Sequence, residues 1–229
     1  MVQFLPLLGV GCTKIPHNLR NRRGLLKKKN QNTIFAKRGP MEKSVRLFGK
    51  QFELFLPEAE ILQAVQKVAD DIARDYKDKV PVFVGVLNGA FMFVSDFLKY
   101  YPYPCEVTFV KLSSYRGLTS TGIVETLLDL PDHVEGKDVI ILEDIVDTGR
   151  TLQELVHMFS NKNVRDFRIA TLFYKSEVYS GEYQIDYFGM EIPDRFIVGY
   201  GLDYREQGRN LRDVYQIKQQ FINQILNKK

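Results

Sequence analysis

Residues 139–152 read VIILEDIVDTGRTL. An aliphatic run meets two adjacent acids, Glu143 and Asp144. Two further aliphatics follow, and then Asp147, Thr148, Gly149, Arg150 and Thr151. A short continuous apolar run is the pattern of a strand buried on both faces of a parallel sheet. The residues that follow, TLQELVHMFSNK, place Leu152, Leu155, Val156 and Phe159 at helical spacing. A buried strand, a small hydroxyl-bearing turn and an amphipathic helix together make one βα unit. In sheets built of such units, ligands bind beyond the carboxyl ends of the strands.

The same alternation extends in both directions. PEAEILQAVQKVADDIARDYKDK (57–79) puts Ile61, Leu62, Val65, Val68, Ala69, Ile72 and Tyr76 on one helical face. Pro57 stands at its start, where a missing N–H does no harm. VPVFVGVLNGA (80–90) reads as a buried strand ending in Asn-Gly, and FMFVSDFLKYY (91–101) as a helix. PCEVTFVKLSSY (104–115) reads as a strand, and the polar RGLTSTG (116–122) as a mobile loop. KDVIILEDI, DFRIATLFYK, IDYFGMEI, RFIVGYG and DVYQIK complete a set of short strands. Strands alternating with helices predict an α/β domain whose central sheet is mainly parallel and flanked by helices. Three loops then fall at the ligand edge: Leu87-Asn88-Gly89, Glu143 to Thr151, and the polar segment after Ser113.

The acidic pair needs a partner. Adjacent carboxylates repel, and burying one unpaired costs several kcal/mol or shifts its pKa. A lone Asp-Thr-Gly is most simply a helix start with Thr148 as cap. An aspartic-protease reading fails, because that chemistry needs two carboxylates sharing a proton across an all-β site. Consecutive backbone N–H groups and two hydroxyls at residues 148–151 form a phosphate cradle at a helix N-terminus. Gly149 lets the backbone approach that phosphate closely. The carboxylates upstream suit a ribose diol or its Mg²⁺. A Walker-type loop needs a Lys-Ser/Thr pair and wider glycine spacing, which are absent from the string. The stretch therefore asks for a sugar phosphate.

Composition sets the remaining bounds. The chain has 229 residues, 45% apolar and 26% charged, the profile of an ordinary globular protein. Its two cysteines, Cys12 and Cys105, make neither a disulfide framework nor a metal cluster, which favours a reducing, cytoplasmic setting. No apolar run reaches the roughly 18 residues of a membrane helix. The net charge of +4 is unevenly spread. Residues 1–40 hold nine Lys or Arg and no acid. Of the totals of 32 bases and 28 acids, 23 bases and all 28 acids remain for the rest, a net of −5. Residues 1–40 lack sustained periodicity and are expected to be a basic, disordered extension, with translation naturally starting at Met41. Residues 41–229 are expected to form the folded domain.

VIILEDIVDTGRTL resembles the phosphoribosyl-pyrophosphate signature of the type I phosphoribosyltransferases. VLNGAFMF (86–93), LSSYRG (112–117), FYKS (173–176) and RFIVGYGLDYREQGRNL (195–211) occur with it in order. Together they resemble the hypoxanthine-guanine branch of bacterial type, over about residues 41–217. The resemblance implies a small hood of short strands beside the main sheet. It also implies purine salvage: transfer of 5-phosphoribosyl from phosphoribosyl pyrophosphate to hypoxanthine or guanine.

Residue roles follow from the same resemblance. Glu143 and Asp144 would bind the ribose hydroxyls, directly or through Mg²⁺, whose preference is for hard oxygen ligands. Asp147 would be the general base at purine N7. The loop of Asp147, Thr148, Gly149, Arg150 and Thr151 would hold the 5′-phosphate. Leu87, Asn88 and Gly89 match the pyrophosphate loop, where the family has a non-proline cis peptide; some members have Lys where this chain has Asn88. Arg209 matches a second pyrophosphate ligand, and Ser114 and Tyr115 lie in the loop that closes over the reaction. Lys175 would donate to the purine O6, Phe196 would stack on the ring, and Ile197 and Asp203 would complete the base site. Asp203 matches a ligand of a second Mg²⁺.

A homodimer or homotetramer is expected from the family, with Phe91, Phe93 and Phe97 serving either an interface or the core. Two other readings stay open. One is a transferase preferring xanthine. The other is a nucleotide-sensing RNA- or DNA-binding regulator on the same fold, an idea invited by the basic front segment. The acidic body and the full set of catalytic residues oppose the regulator, so neither nucleic acid nor membrane is an expected partner.

Overall fold

The computed structural model describes residues 43–114, 124–128, 130–160 and 162–222, all within one compact unit spanning Met41–Lys229. The extension expected at 1–40, Tyr115 and the loop expected at 116–122 lie outside the described residues.

Six strands make the main sheet. In chain order they are β3 (Val82–Leu87), β4 (Glu106–Ser114), β5 (Val124–Leu128), β6 (Asp138–Val146), β7 (Asp166–Tyr174) and β8 (Tyr187–Glu191), arranged β5-β4-β3-β6-β7-β8. Every neighbouring pair is parallel except β4 with β5. The two central strands are the most apolar. β3 is buried from Val82 to Val86, and β6 is buried at every position but Ile145.

Both faces of these strands are covered, and the period of two decides what each side chain meets. Phe83, Ile140 and Leu142 pack with helices α1 (Glu58–Tyr76) and α2 (Phe91–Tyr100). Val82, Val84, Val139 and Ile141 pack on the other face with α3 (Arg150–Ser160). The face of α3 buries Leu152, Leu155, Val156 and Phe159, as its spacing predicts. The buried face of α1 takes in Ala64 and Ala73 in addition, while Leu62 is only half-buried. Pro57 is the N-cap of α1, and the N–H of Glu58 is satisfied from a distance by Asp213 Oδ1 at 2.8 Å. Of the three phenylalanines on α2, Phe93 and Phe97 are core, stacked edge-on at 6.0 Å, and only Phe91 is exposed, at 41%.

A second, antiparallel sheet forms the hood. It joins β1 (Ser44–Leu47), β2 (Lys50–Leu56), β10 (Val214–Ile217) and β9 (Ile197–Val198) in the order β1-β2-β10-β9. The strand expected at RFIVGYG shrinks to Ile197–Val198. Positive φ at Gly199 (104°), Tyr200 (48°) and Gly201 (97°) turns the chain out of the sheet there. That excursion carries Asp203 and Arg209 toward the main sheet.

Candidate active site

The carboxyl ends of β3, β6, β7 and β8 present the loops that matter. After β3 comes Leu87-Asn88-Gly89, with a cis peptide between Leu87 and Asn88. All three residues are half-buried. Gly89 faces the carboxylate of Asp144 so closely that a Cβ on it would overlap Asp144 Oδ2. From the hood side, Gly201 packs on the carbonyl oxygen of Gly89, and its own φ of 97° suits glycine. Arg209 closes the group. Its guanidinium donates to Gly201 O at 2.9 Å and meets Asp203 Oδ1 at 2.7 Å. Asp203 Oδ2 accepts the N–H of Glu206 at 2.7 Å. Residues expected to meet pyrophosphate and cation thus gather from three distant parts of the chain.

Glu143 and Asp144 sit inside β6, not after it, and both are buried. Burial pushes the Glu143 carboxyl well up, and the charge of Asp144 adds to the effect. Asp144 is pushed up to about 6, chiefly by burial; the Ile145 N–H and Arg209 pull it back, and Asp203 pushes it further up. Asp144 Oδ1 accepts the Ile145 N–H at 2.9 Å. Glu143 Oε2 is buried and has no hydrogen-bond partner among the described residues. A buried carboxylate oxygen without a donor is costly unless a ligand hydroxyl or cation meets it.

Residues 147–151 form the turn into α3. Gly149 has φ 85°, and its carbonyl accepts the Gln153 N–H at 3.2 Å. Thr148, Arg150 and Thr151 are exposed around it, leaving the helix N-terminus open to an anion. The Tyr179 ring backs Gly149, since a Cβ there would come within 2.6 Å of Tyr179 Cε2.

One strand over, Lys175 follows β7, and its backbone N–H is fixed by Val146 O at 3.0 Å. Its ammonium is buried and meets Asp147 Oδ2 at 3.2 Å and Asp194 Oδ1 at 2.9 Å. The proposed O6 donor and the proposed N7 base are therefore neighbours.

The other base-site residues are placed less simply. Phe196 is half-buried, edge-on to Tyr204 at 5.7 Å and tilted on Phe52 at 6.4 Å, so part of its ring belongs to the hood core. Ile197 is buried, its side chain joins the main core, and it pairs with Gln216 in the hood. Ser114 ends β4 at the same edge of the sheet. Three contacts were not legible in advance: Asp194 with Lys175, Tyr179 with Gly149, and Tyr200, whose hydroxyl donates to Asp96 Oδ2 at 2.7 Å. Each joins residues far apart in sequence, and no local spacing marks them.

A model of the phosphoribosyl transferase domain matches residues 55–205. The hypoxanthine-guanine phosphoribosyltransferase of Streptococcus pyogenes serotype M3 is 40% identical over 169 residues, covering 73% of this chain and 94% of that protein. The chain belongs to the hypoxanthine-guanine phosphoribosyltransferase family. The Bacillus subtilis member of the family is 39% identical over 160 residues, covering 69% of this chain and 89% of its own. Among solved structures, a hypoxanthine phosphoribosyltransferase from Staphylococcus aureus superposes with a TM-score of 0.68 at 37% identity, over 74% of this chain and 93% of that one. Family membership accounts for both sheets: the parallel one carries the signature turn, and the hood carries the loop that returns Asp203 and Arg209 to it.

Proposed function

We propose that this phosphoribosyltransferase salvages 6-oxopurines, joining hypoxanthine or guanine to the 5-phosphoribosyl group of phosphoribosyl pyrophosphate. The observation that carries this reading is the placement of Lys175 beside Asp147, one strand from the phosphate turn. In the reaction the purine N9 lone pair bonds to the anomeric carbon, and the bond from that carbon to pyrophosphate oxygen breaks with its electrons. The purine N7 proton passes to the Asp147 carboxylate. The Lys175 ammonium donates to O6 and draws charge off the ring. Adenine offers an amino group at that place and no acceptor, so discrimination should be strong. The turn at 148–151 holds the 5′-phosphate, and Leu87, Asn88, Gly89 and Arg209 receive the departing pyrophosphate.

The donor set fits Mg²⁺. Glu143 and Asp144 supply hard oxygens, and Glu143 Oε2 lacks a partner among the described residues. Among those residues no cluster of three or more His, Cys, Asp or Glu is assembled. Mg²⁺ typically takes one or two carboxylates and completes its shell with water and substrate oxygens. When bound it would neutralise charge on pyrophosphate and ribose oxygens. Asp203, the candidate ligand of a second ion, has both oxygens engaged, by Arg209 and the Glu206 N–H. A second ion there would share the carboxylate with Arg209.

The family resemblance also supports a homodimer or homotetramer, for which Phe91 is the exposed candidate on α2. Among the described residues no helix is long and apolar enough to cross a membrane, and Cys105 is free. A cytoplasmic setting fits the cysteine usage. The deciding experiment is turnover of hypoxanthine, guanine, xanthine and adenine with phosphoribosyl pyrophosphate and Mg²⁺. Hypoxanthine and guanine should be consumed and adenine left. Preference for xanthine, or no turnover together with RNA binding, would overturn the reading.

A further inference from the structure

We infer that Asp194 is a positioning residue for the reaction, holding the Lys175 ammonium in place so that Lys175 can serve the purine and Asp147 can serve its proton. The inference rests on the proposed 6-oxopurine transfer.

The geometry comes from the sheet. β6, β7 and β8 are consecutive parallel neighbours, with Val146 paired to Tyr174 and Tyr174 paired to Glu191. Their carboxyl ends therefore lie side by side. Asp147 follows the first by one residue, Lys175 follows the second by one, and Asp194 stands three residues beyond the third. The Ile192 N–H donates to Tyr174 O at 2.9 Å and fixes the start of that last segment. The lysine thus rises between two carboxylates carried on its two flanking strands.

Charge makes the arrangement consequential. The Lys175 side chain is 6% exposed, whereas those of Asp147 and Asp194 are 50% and 64% exposed. A buried ammonium requires a counter-charge, and Asp147 alone could supply it. An Asp147 locked to Lys175, however, has one oxygen committed to the lysine. Asp194 offers the shorter contact, 2.9 Å against 3.2 Å. An ammonium has three N–H donors. Two are directed at these carboxylates, and the third is the one the purine O6 requires. With Asp194 present, the lysine keeps a counter-charge when Asp147 turns to N7. Without it, Lys175 and Asp147 have only each other.

A double-mutant cycle tests this, with the unmodified protein as its reference. Asp194→Asn should lower kcat/KM for hypoxanthine about three- to tenfold, the scale of a partly buried ion-pair contact. KM for phosphoribosyl pyrophosphate should stay within twofold, and Asp194→Glu should recover part of the loss. In a Lys175→Ala background, Asp194→Asn should add nothing, because its effect runs through the lysine. An Asp194→Asn enzyme with unchanged kcat/KM for the base would overturn the inference. So would an equal loss in the Lys175→Ala background, or a rise in KM for the sugar phosphate as large as the loss for the base. If the unmodified protein fails to turn over 6-oxopurines, the proposed function itself fails, a result separate from any of these.

Discussion

The carboxylate of Asp144 occupies the space in front of Gly89 that any side chain there would need. Gly89 ends the loop after β3, and Asp144 lies in β6, the adjacent strand. On its other side the Gly89 carbonyl is packed by Gly201 of the hood. Gly89→Ala must therefore shift either the loop or the acid. The core clusters lie below the loop, so the variant should fold. A misplacement of about 1 Å at a reacting centre costs on the order of 10²-fold. kcat/KM for phosphoribosyl pyrophosphate should fall on that order, with KM for the purine less affected. Steady-state kinetics beside a thermal melt checks both halves. A variant with normal kinetics would show that the loop and Asp144 can part without consequence.

The same acid should destabilise the fold it serves. Asp144 is pushed up to about 6 by burial, against about 4 in an unfolded chain. Between those values the folded state holds a proton that the unfolded state has released. Stability from this group is thus full below about pH 4 and is lost as pH rises through about 6. Glu143 is raised too, partly by Asp144, and shifts in the same direction. Asp144→Asn keeps the acceptor for the Ile145 N–H while removing the charge. In metal-free buffer its Tm should exceed that of the unmodified protein at pH 8, and the gap should narrow toward pH 4. A variant less stable at pH 8 would mean that attraction to Arg209 outweighs burial.

Much of this was readable from the chain, for reasons that differ by element. β3, β6 and α3 announce themselves because local apolar pattern and burial coincide, and the turn at 147–151 follows from its residue types. β5 was not legible: Val124–Leu128 is a short edge strand whose pairing is set by β4. Nor was the β1–β2 hairpin: β1 alternates exposed and half-buried but runs for only four residues, β2 is half-buried along nearly its whole length, and the turn at Phe48–Gly49 takes positive φ. Phe93 and Phe97 were ambiguous because an apolar helix looks alike in a core and at an interface. Asp194 was invisible because its partner is reached across strands 19 residues apart in sequence. The family resemblance named Lys175; only the structure shows which acids share it.

Residues 1–40 carry nine of the basic residues and lie outside both the described residues and the family match at 55–205. We expect a protein starting at Met41 to keep its Tm within a few degrees and its kcat within twofold. Differential scanning calorimetry and turnover on the two forms make the comparison. Aggregation or loss of most activity on truncation would make the extension part of the working fold.

Asp147→Asn is the sharpest test of the signature turn. Asp147 is half exposed, and its Oδ2 meets Lys175 at 3.2 Å. Asparagine keeps the size and an oxygen acceptor for that lysine, so the turn should still form and Thr148, Gly149 and Thr151 should still hold the 5′-phosphate. What is lost, on the proposed reading, is the group that takes the N7 proton and the negative charge facing an oxocarbenium-like ribose. A positioned general base is worth about 10²–10⁴ in rate. kcat should fall by that order, with phosphoribosyl pyrophosphate affinity changed less than about tenfold, because an interaction needed mainly in the transition state has been removed. Glu143→Gln should differ in kind. Its buried Oε2 has no hydrogen-bond partner among the described residues, and on the proposed reading it meets a ribose hydroxyl or Mg²⁺ already in the ground state, so KM for the sugar phosphate should rise alongside any fall in kcat. Single-turnover rates with both variants separate the two effects. Near-normal kcat in Asp147→Asn would reduce Asp147 to a helix-start residue paired with Lys175, and the base would have to be another group at this edge of the sheet.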